Sequence, residues 1–119
     1  FPVIALTADS AIITAIANDF QFEDIFSKQL RALGQSGDIL VAYTDGTNSA
    51  NIAKAIAVAH EKDISIIALT GNNGGIIAPS LRETDIEIRV PSESSARILE
   101  THILITHCLC DLIDYQLFG

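Results

Sequence analysis

Tryptophan and methionine are absent from this 119-residue chain, and aromatic residues make up only 6% of it. Its core must therefore be built from Ile, Leu, Val and Ala, which supply most of the 49% apolar content. That content is too high for a chain that stays disordered, and the length suits one domain or part of one. Cations are scarce as well: 7 Lys and Arg stand against 15 Asp and Glu, a formal net charge of −8. This balance argues against direct nucleic-acid binding, which needs clustered Lys and Arg. It leaves room for a phosphorylated small molecule, because backbone N–H groups can hold phosphate without local cations. No 18-residue apolar run occurs. The longest candidate, Ile103 to Ile113, is interrupted by His107 and Asp111, so no membrane association is expected. Pro2 to Leu6 is too short for a secretory apolar region. Cys108 and Cys110 are the only cysteines. Two apart on a helix, they face different ways, so the expectation is two buried free thiols in a cytoplasmic protein.

What is present alternates between β-type and helical patterns. Pro2–Leu6 reads as a buried strand at the very start, which implies that the chain opens in mid-architecture. Ser10 can cap a short helix over Ala11–Ala17 that ends at Asn18-Asp19. Asp9 is equally suited to that cap. Asp24 to Leu33 is amphipathic, with Ile25, Phe26, Leu30 and Leu33 inside and Lys28, Gln29 and Arg31 outside. Gly34 fits the residue just past a helix end. Ile39–Tyr43 and Ser65–Thr70 are continuous apolar strands, whereas Asp85–Val90 alternates strictly, as a half-exposed edge strand does. Between them lie a helix from Ser49 to about Lys62 and a helical turn ending at Leu81. His60, near the end of the Ser49 helix, reads as a solvent-facing residue favoured by the helix dipole. After Pro91, Ser92 or Ser94 caps a helix to about Tyr115. That helix is apolar on most sides between Ile98 and Ile113, so it is expected to be buried, in a subunit interface. Such alternation predicts a parallel α/β sandwich.

The organising stretch is Asp38–Lys54: a strand that stops at Tyr43, a polar loop Thr44-Asp-Gly-Thr-Asn48, and a helix starting at Ser49. A helix N-terminus presents unpaired N–H groups and the positive end of a dipole to that loop. Thr44, Thr47 and Ser49 add hydroxyl groups. The same letters also describe an ordinary Asp-Gly turn followed by a Ser cap. In parallel sheets ligands bind beyond the carboxyl ends of strands. The loops there are Thr7–Ser10, Thr44–Asn48, Gly71–Gly75 and Pro91–Ser95, all rich in hydroxyl, Asn or Gly.

These residues carry a family resemblance. Ala5–Asp9, Thr14–Asp19, Phe26–Gln29, Val41-Ala42 with Asn48–Ile52, Ala68–Gly71 and Val90–Ser92 resemble a sugar isomerase (SIS) domain. Ala96-Arg-Ile98 with Glu100 and His102, then Cys108–Asp114, narrow the likeness to the phosphoheptose isomerase branch. That branch includes a non-catalytic relative that binds the bacterial replication initiator DnaA, and Cys108–Asp114 resembles it at least as well. The resemblance covers residues 1–119, read as the C-terminal two-thirds of the family domain. It implies a flavodoxin-like three-layer αβα sandwich with a parallel sheet, in a homotetramer with sites between subunits. The implied reaction converts sedoheptulose 7-phosphate to an aldo-heptose 7-phosphate for lipopolysaccharide core synthesis. Relatives begin with two helices and a strand ending in an Asn-Gly-Gly-Ser loop, followed by a His and a Glu that serve metal binding and catalysis. Nothing in this sequence matches that segment.

The resemblance assigns roles to individual residues. His107 matches a His that serves the metal and the proton transfer; locally it reads equally as a core or interface His. Leu99 stands where relatives have Gln, which contacts substrate and metal, and leucine can do neither. Zinc is therefore an expectation for the full-length protein only, with His107 as a ligand and no metal site assignable from this chain alone. His102 and Glu100 are read as structural. Asn18 and Asp19 match substrate-contacting positions, although they also suit a helix end and turn. The phosphate loop departs from the Ser-Thr-Ser-Gly-x-Ser of relatives. Thr44 and Ser49 keep the outer hydroxyls, while Asp45, Gly46 and Thr47 replace Thr, Ser and Gly. Either Gly46 takes the positive φ one residue early, or Asp45 points away while backbone N–H groups hold the phosphate.

Overall fold

A computed structural model describes residues 2–119. Its centre is a parallel sheet of three strands, β1 (Ile39–Tyr43), β2 (Ser65–Gly71) and β3 (Ile86–Val90), side by side in chain order. Val41 pairs with Ile67, and Ile67 with Ile86; Tyr43 pairs with Leu69, and Leu69 with Ile88. Alternate side chains leave a strand on opposite faces. On one face Ile66 and Ala68 meet Ile56 and Ala59 of helix α3 (Ala50–Glu61), backed by Leu30 of helix α2 (Ser27–Leu33). Ile56, Ala59, Ile66 and Ala68 are almost wholly buried there. On the other face helix α4 (Ser95–Phe118) crosses β2 and β3, and its Ile98 methyls lie against Gly71. The chain is thus the expected α/β sandwich, with helices on both faces of a parallel sheet.

Several local expectations are corrected. Pro2–Leu6 forms no strand, and Val3 and Ile4 are exposed. A strand exists only by pairing, and the Leu6 carbonyl instead accepts a hydrogen bond from the Gln29 side chain. Helix α1 (Ser10–Asp19) is capped by Asp9, not Ser10: Asp9 has the extended backbone a cap needs, and its carboxylate accepts from the Ile12 N–H. The Asp24–Leu33 helix is split into a 3-10 turn, Phe22–Asp24, and α2. Lys54 of α3 holds that turn through Asp24 at 3.0 Å and Glu23 at 3.5 Å. Gln29 is buried rather than exposed, because its amide donates to the Leu6 and Ile25 carbonyls, while Leu33 is exposed. Gly34 ends α2 with a φ of −74°, so left-handed geometry is not why it is glycine. A Cβ there would meet Ile64 Cδ1 and the Leu30 carbonyl.

Helix α4 leaves most of its apolar surface uncovered within the single chain. Only Ile98 and His102 are buried along it; Leu99, Ile103, Leu104, Leu112, Tyr115 and Phe118 are exposed. Its many apolar sides exceed what one sheet face can cover. Cys108 and Cys110 are free, as expected, but exposed rather than buried in the single chain.

Candidate functional site

The loop after β1 folds back on itself. Gly46 has a φ of +92°, so it carries the left-handed turn one residue early, as its place in the sequence suggested. Thr44 is buried; its hydroxyl accepts from the Gly46 N–H at 3.3 Å and lies 3.4 Å from the Ser49 hydroxyl. Ser49 occupies the cap position of α3, yet its side chain makes no capping bond. That hydroxyl faces Thr44 instead. Among the described residues, the amides of Asn48, Ala50 and Asn51 have no acceptor. The loop therefore gathers two hydroxyls and several N–H donors at the positive end of α3.

The Asp45 carboxylate is held by Thr47 of its own loop and by Ser95 of α4. Its Oδ1 accepts from the Thr47 N–H at 3.1 Å and from the Thr47 hydroxyl at 2.8 Å. Its Oδ2 accepts from the Ser95 hydroxyl, at the start of α4, at 3.1 Å. The Thr47 hydroxyl bond is the main reason the carboxyl titrates below its ordinary range, so it is charged at neutral pH. Ser95 was not among the residues singled out from sequence, since nothing local links it to a loop 50 positions earlier. Three glycines press this loop onto the one after β2. A Cβ on Gly46 would overlap the Gly71 carbonyl, one on Gly71 would meet the Asp45 carbonyl and Ile98, and one on Gly75 would meet the Gly46 carbonyl.

Next to the loop lies a shallow cavity of about 460 Å³, lined by Tyr43, Leu99, His102, Ile103, Thr106 and His107. Tyr43, the last residue of β1, reaches α4 with its hydroxyl 2.9 Å from the Thr106 hydroxyl. Its ring is tilted against that of His102, with centroids 6.1 Å apart. Tyr43 and Thr106 were also missed in the sequence. The signal was Tyr43's position at the strand end, where the side chain of a parallel strand meets the ligand edge. His107 is exposed on the cavity wall and makes no hydrogen bond among the described residues. His102 is buried, and its Nε2 lies 2.8 Å from the Thr70 carbonyl oxygen. Glu100 forms a two-bond fork with Arg97 on the exposed side of α4.

Other predicted positions stand apart. Asn18 and Asp19 end α1, where the Asn18 amide donates to Asp19 at 3.2 Å. No hydrogen bond joins them to the loop or the cavity among the described residues. His60 is not solvent-facing: its Nε2 lies 2.7 Å from Asp85 Oδ2, and both side chains are largely buried. The Asp85 carboxylate also accepts from the Ile66 and Arg82 amides, which the sequence, with Asp85 read only as a strand start, did not reveal.

A metal does not fit the described residues alone. Leu99 shares the cavity wall with His107 and offers no donor atom. Among the described residues no group of three His, Cys, Asp or Glu side chains converges as a cation needs.

Hydroxyl-rich loops at the strand ends of a parallel sheet, one of them opening a helix, place this chain among the α/β sandwich domains, whose strand ends are where ligands bind. The SIS domain family matches residues 1–71, and the chain belongs to that family. It is 56% identical over 118 residues to the phosphoheptose isomerase of Methylococcus capsulatus, and 58% identical over 118 residues to that of Chromohalobacter salexigens. Those alignments take in 99% of this chain and 60% of each relative, so the chain spans less than two thirds of their length. The solved phosphoheptose isomerase from Neisseria gonorrhoeae superposes with a TM-score of 0.91 at 53% identity, over 93% of this chain and 61% of that one. The one from Francisella tularensis gives 0.93 at 49% identity, over 96% of this chain and 62% of that one. No helix of the described residues is long and apolar enough to cross a membrane.

Proposed function

We propose that the full-length protein is an aldose–ketose isomerase of the phosphoheptose isomerase type. Its substrate is a ketose phosphate, sedoheptulose 7-phosphate, and its product is D-glycero-D-manno-heptose 7-phosphate, used for lipopolysaccharide core heptose in the cytoplasm. One observation carries the reading. Tyr43, the residue immediately before the anion loop, shares a cavity wall with His107, and its hydroxyl lies 2.9 Å from that of Thr106, the neighbour of His107. Thr44, Gly46, Ser49 and the amides around them would hold the phosphate, and Asn18 and Asp19 would hydrogen-bond sugar hydroxyls. Isomerisation moves a proton from C1 to C2 through an enediolate, which needs a group that can take and return it. His107 is that group in this chain. The described residues of the chain do not by themselves complete a metal site. The exposed apolar face of α4 supports a homo-oligomer, a tetramer, in which this face is covered.

The test is heptose-phosphate formation by the full-length protein. His107→Ala is expected to lower kcat by about 100-fold or more while leaving phosphate affinity in place. A folded assembly without turnover would reject the reading. A second reading, a non-catalytic SIS protein that binds the replication initiator DnaA, is favoured by Leu99 on the cavity wall. DnaA binding with no turnover would select it.

A further inference from the structure

We propose that Asp45 makes the phosphate loop select the singly protonated form of a phosphate monoester over the dianion. The inference rests on the phosphate reading of this loop and names the ionic form that the loop accepts. Thr47 donates both its amide and its hydroxyl to Asp45 Oδ1, so these two donors of the loop already serve a carboxylate of the same loop. An anion held by the neighbouring donors, the Asn48, Ala50 and Asn51 amides with the Thr44 and Ser49 hydroxyls, lies beside that carboxylate. The loop cannot swing Asp45 out by moving its backbone. Gly46, Gly71 and Gly75 hold it against the β2 loop with no room for even a Cβ, and Ser95 anchors Oδ2 from α4.

No cation among the described residues pairs with this carboxylate. The groups on the carboxylate, Thr47 from its own loop and Ser95 from α4, are uncharged. From the β2 side Gly71 and Asn72 close the packing around Gly46. No ion pair reaches Asp45 among the described residues, and Arg97, two positions after Ser95, is committed to Glu100. Two negative charges held in one short loop repel, the more so as water leaves. A phosphate that keeps one proton carries less charge and can donate that proton in a hydrogen bond to Asp45. The second pKa of a phosphate monoester is near 6, so the preferred form becomes abundant just below neutrality.

Binding of sorbitol 6-phosphate, a non-isomerisable polyol phosphate, to the full-length protein by calorimetry tests this. For wild type the association constant is expected to rise roughly 20-fold from pH 7.5 to 5.5, following the monoanion. A sulfate monoester, which keeps its charge and has no proton to donate, should bind weakly at both. Asp45→Asn keeps the turn acceptor and removes the charge; it should bind the phosphate more tightly at pH 7.5 and lose the rise. Asp45→Thr, checked for folding by circular dichroism, should behave the same way. Equal pH profiles in wild type and both variants would overturn the inference and leave the phosphate loop standing. No binding at any pH, in wild type or variants, would overturn the phosphate reading and this inference with it.

Discussion

The Nε2 of His102 lies 2.8 Å from the carbonyl oxygen of Thr70, and this bond pins the middle of α4 to the end of β2. A carbonyl only accepts, so Nε2 carries the proton and Nδ1 is the other face of the ring. Both residues are almost fully buried, and Nδ1 has no hydrogen-bond partner among the described residues. His102→Ala removes the donor and opens a void, at an expected cost of about 2–4 kcal/mol in chemical denaturation. His102→Gln, which can place an amide donor near the Nε2 position, should recover part of that loss. Equal stability of His102→Ala and wild type would show that the bond contributes nothing.

Gly46 is required twice, by its φ of +92° and by the Gly71 carbonyl that a Cβ would overlap. Gly46→Ala is expected to destabilise the fold by about 2 kcal/mol or more. It should weaken phosphate binding even where the protein is folded, because the Thr44–Ser49 hydroxyl pair flanks the same turn. Gly37 has a similar φ of +90° but no atom within 4 Å of its Cβ position. Gly37→Ala should therefore pay the conformational term alone, and thermal melts of the two variants separate the contributions.

Asp85 offers a pH-dependent test. Burial works against its charge, but hydrogen bonds from the Arg82 amide, His60 and the Ile66 amide outweigh it and lower the pKa. The folded state thus binds the proton less readily than the unfolded one, so Asp85 adds stability above the unfolded pKa near 4. That contribution drains away as pH falls through the lower folded value. Asp85→Asn is expected to be less stable than wild type by about 2–3 kcal/mol at pH 7. Urea titrations at a series of pH values should show the gap narrowing below about pH 4. A gap independent of pH down to the acid limit would contradict the assignment.

Leu104 is 63% exposed on α4, between Ile103 at 59% and the exposed Cys108. If that face is a subunit contact, Leu104→Asp places a charge where apolar surface is to be buried. Sedimentation of the full-length variant should show smaller species with an unchanged circular dichroism spectrum. A tetramer that survives the substitution would move the contact elsewhere.

Elements with continuous patterns were legible in the letters. Ile39–Tyr43 forms β1 with the expected bounds, and Ser65–Thr70 gains only Gly71, since an unbroken apolar run between polar turns has few other uses in a parallel sheet. Loop chemistry was legible where it is local, as with Gly46. It failed where partners are remote. Gln29 looked like a surface residue until the Leu6 carbonyl, 23 positions away, took its amide. His60 and Asp85, 25 apart, pair because α3 and the entry to β3 end side by side. Pro2–Leu6 has the composition of a strand but, in this chain, not the pairing.

The alternation of strand and helix and the polar loop at the start of α3 follow from spacing along the chain, and the family from the particular residues that stand in those stretches. Tertiary structure decided where Asp45 is held, between Thr47 of its own loop and Ser95 of α4. The deciding partner, Ser95, comes from another helix 50 positions on, and the space for it exists only because Gly46, Gly71 and Gly75 let two loops touch backbone to backbone. Spacing in one dimension cannot express which donors converge in three.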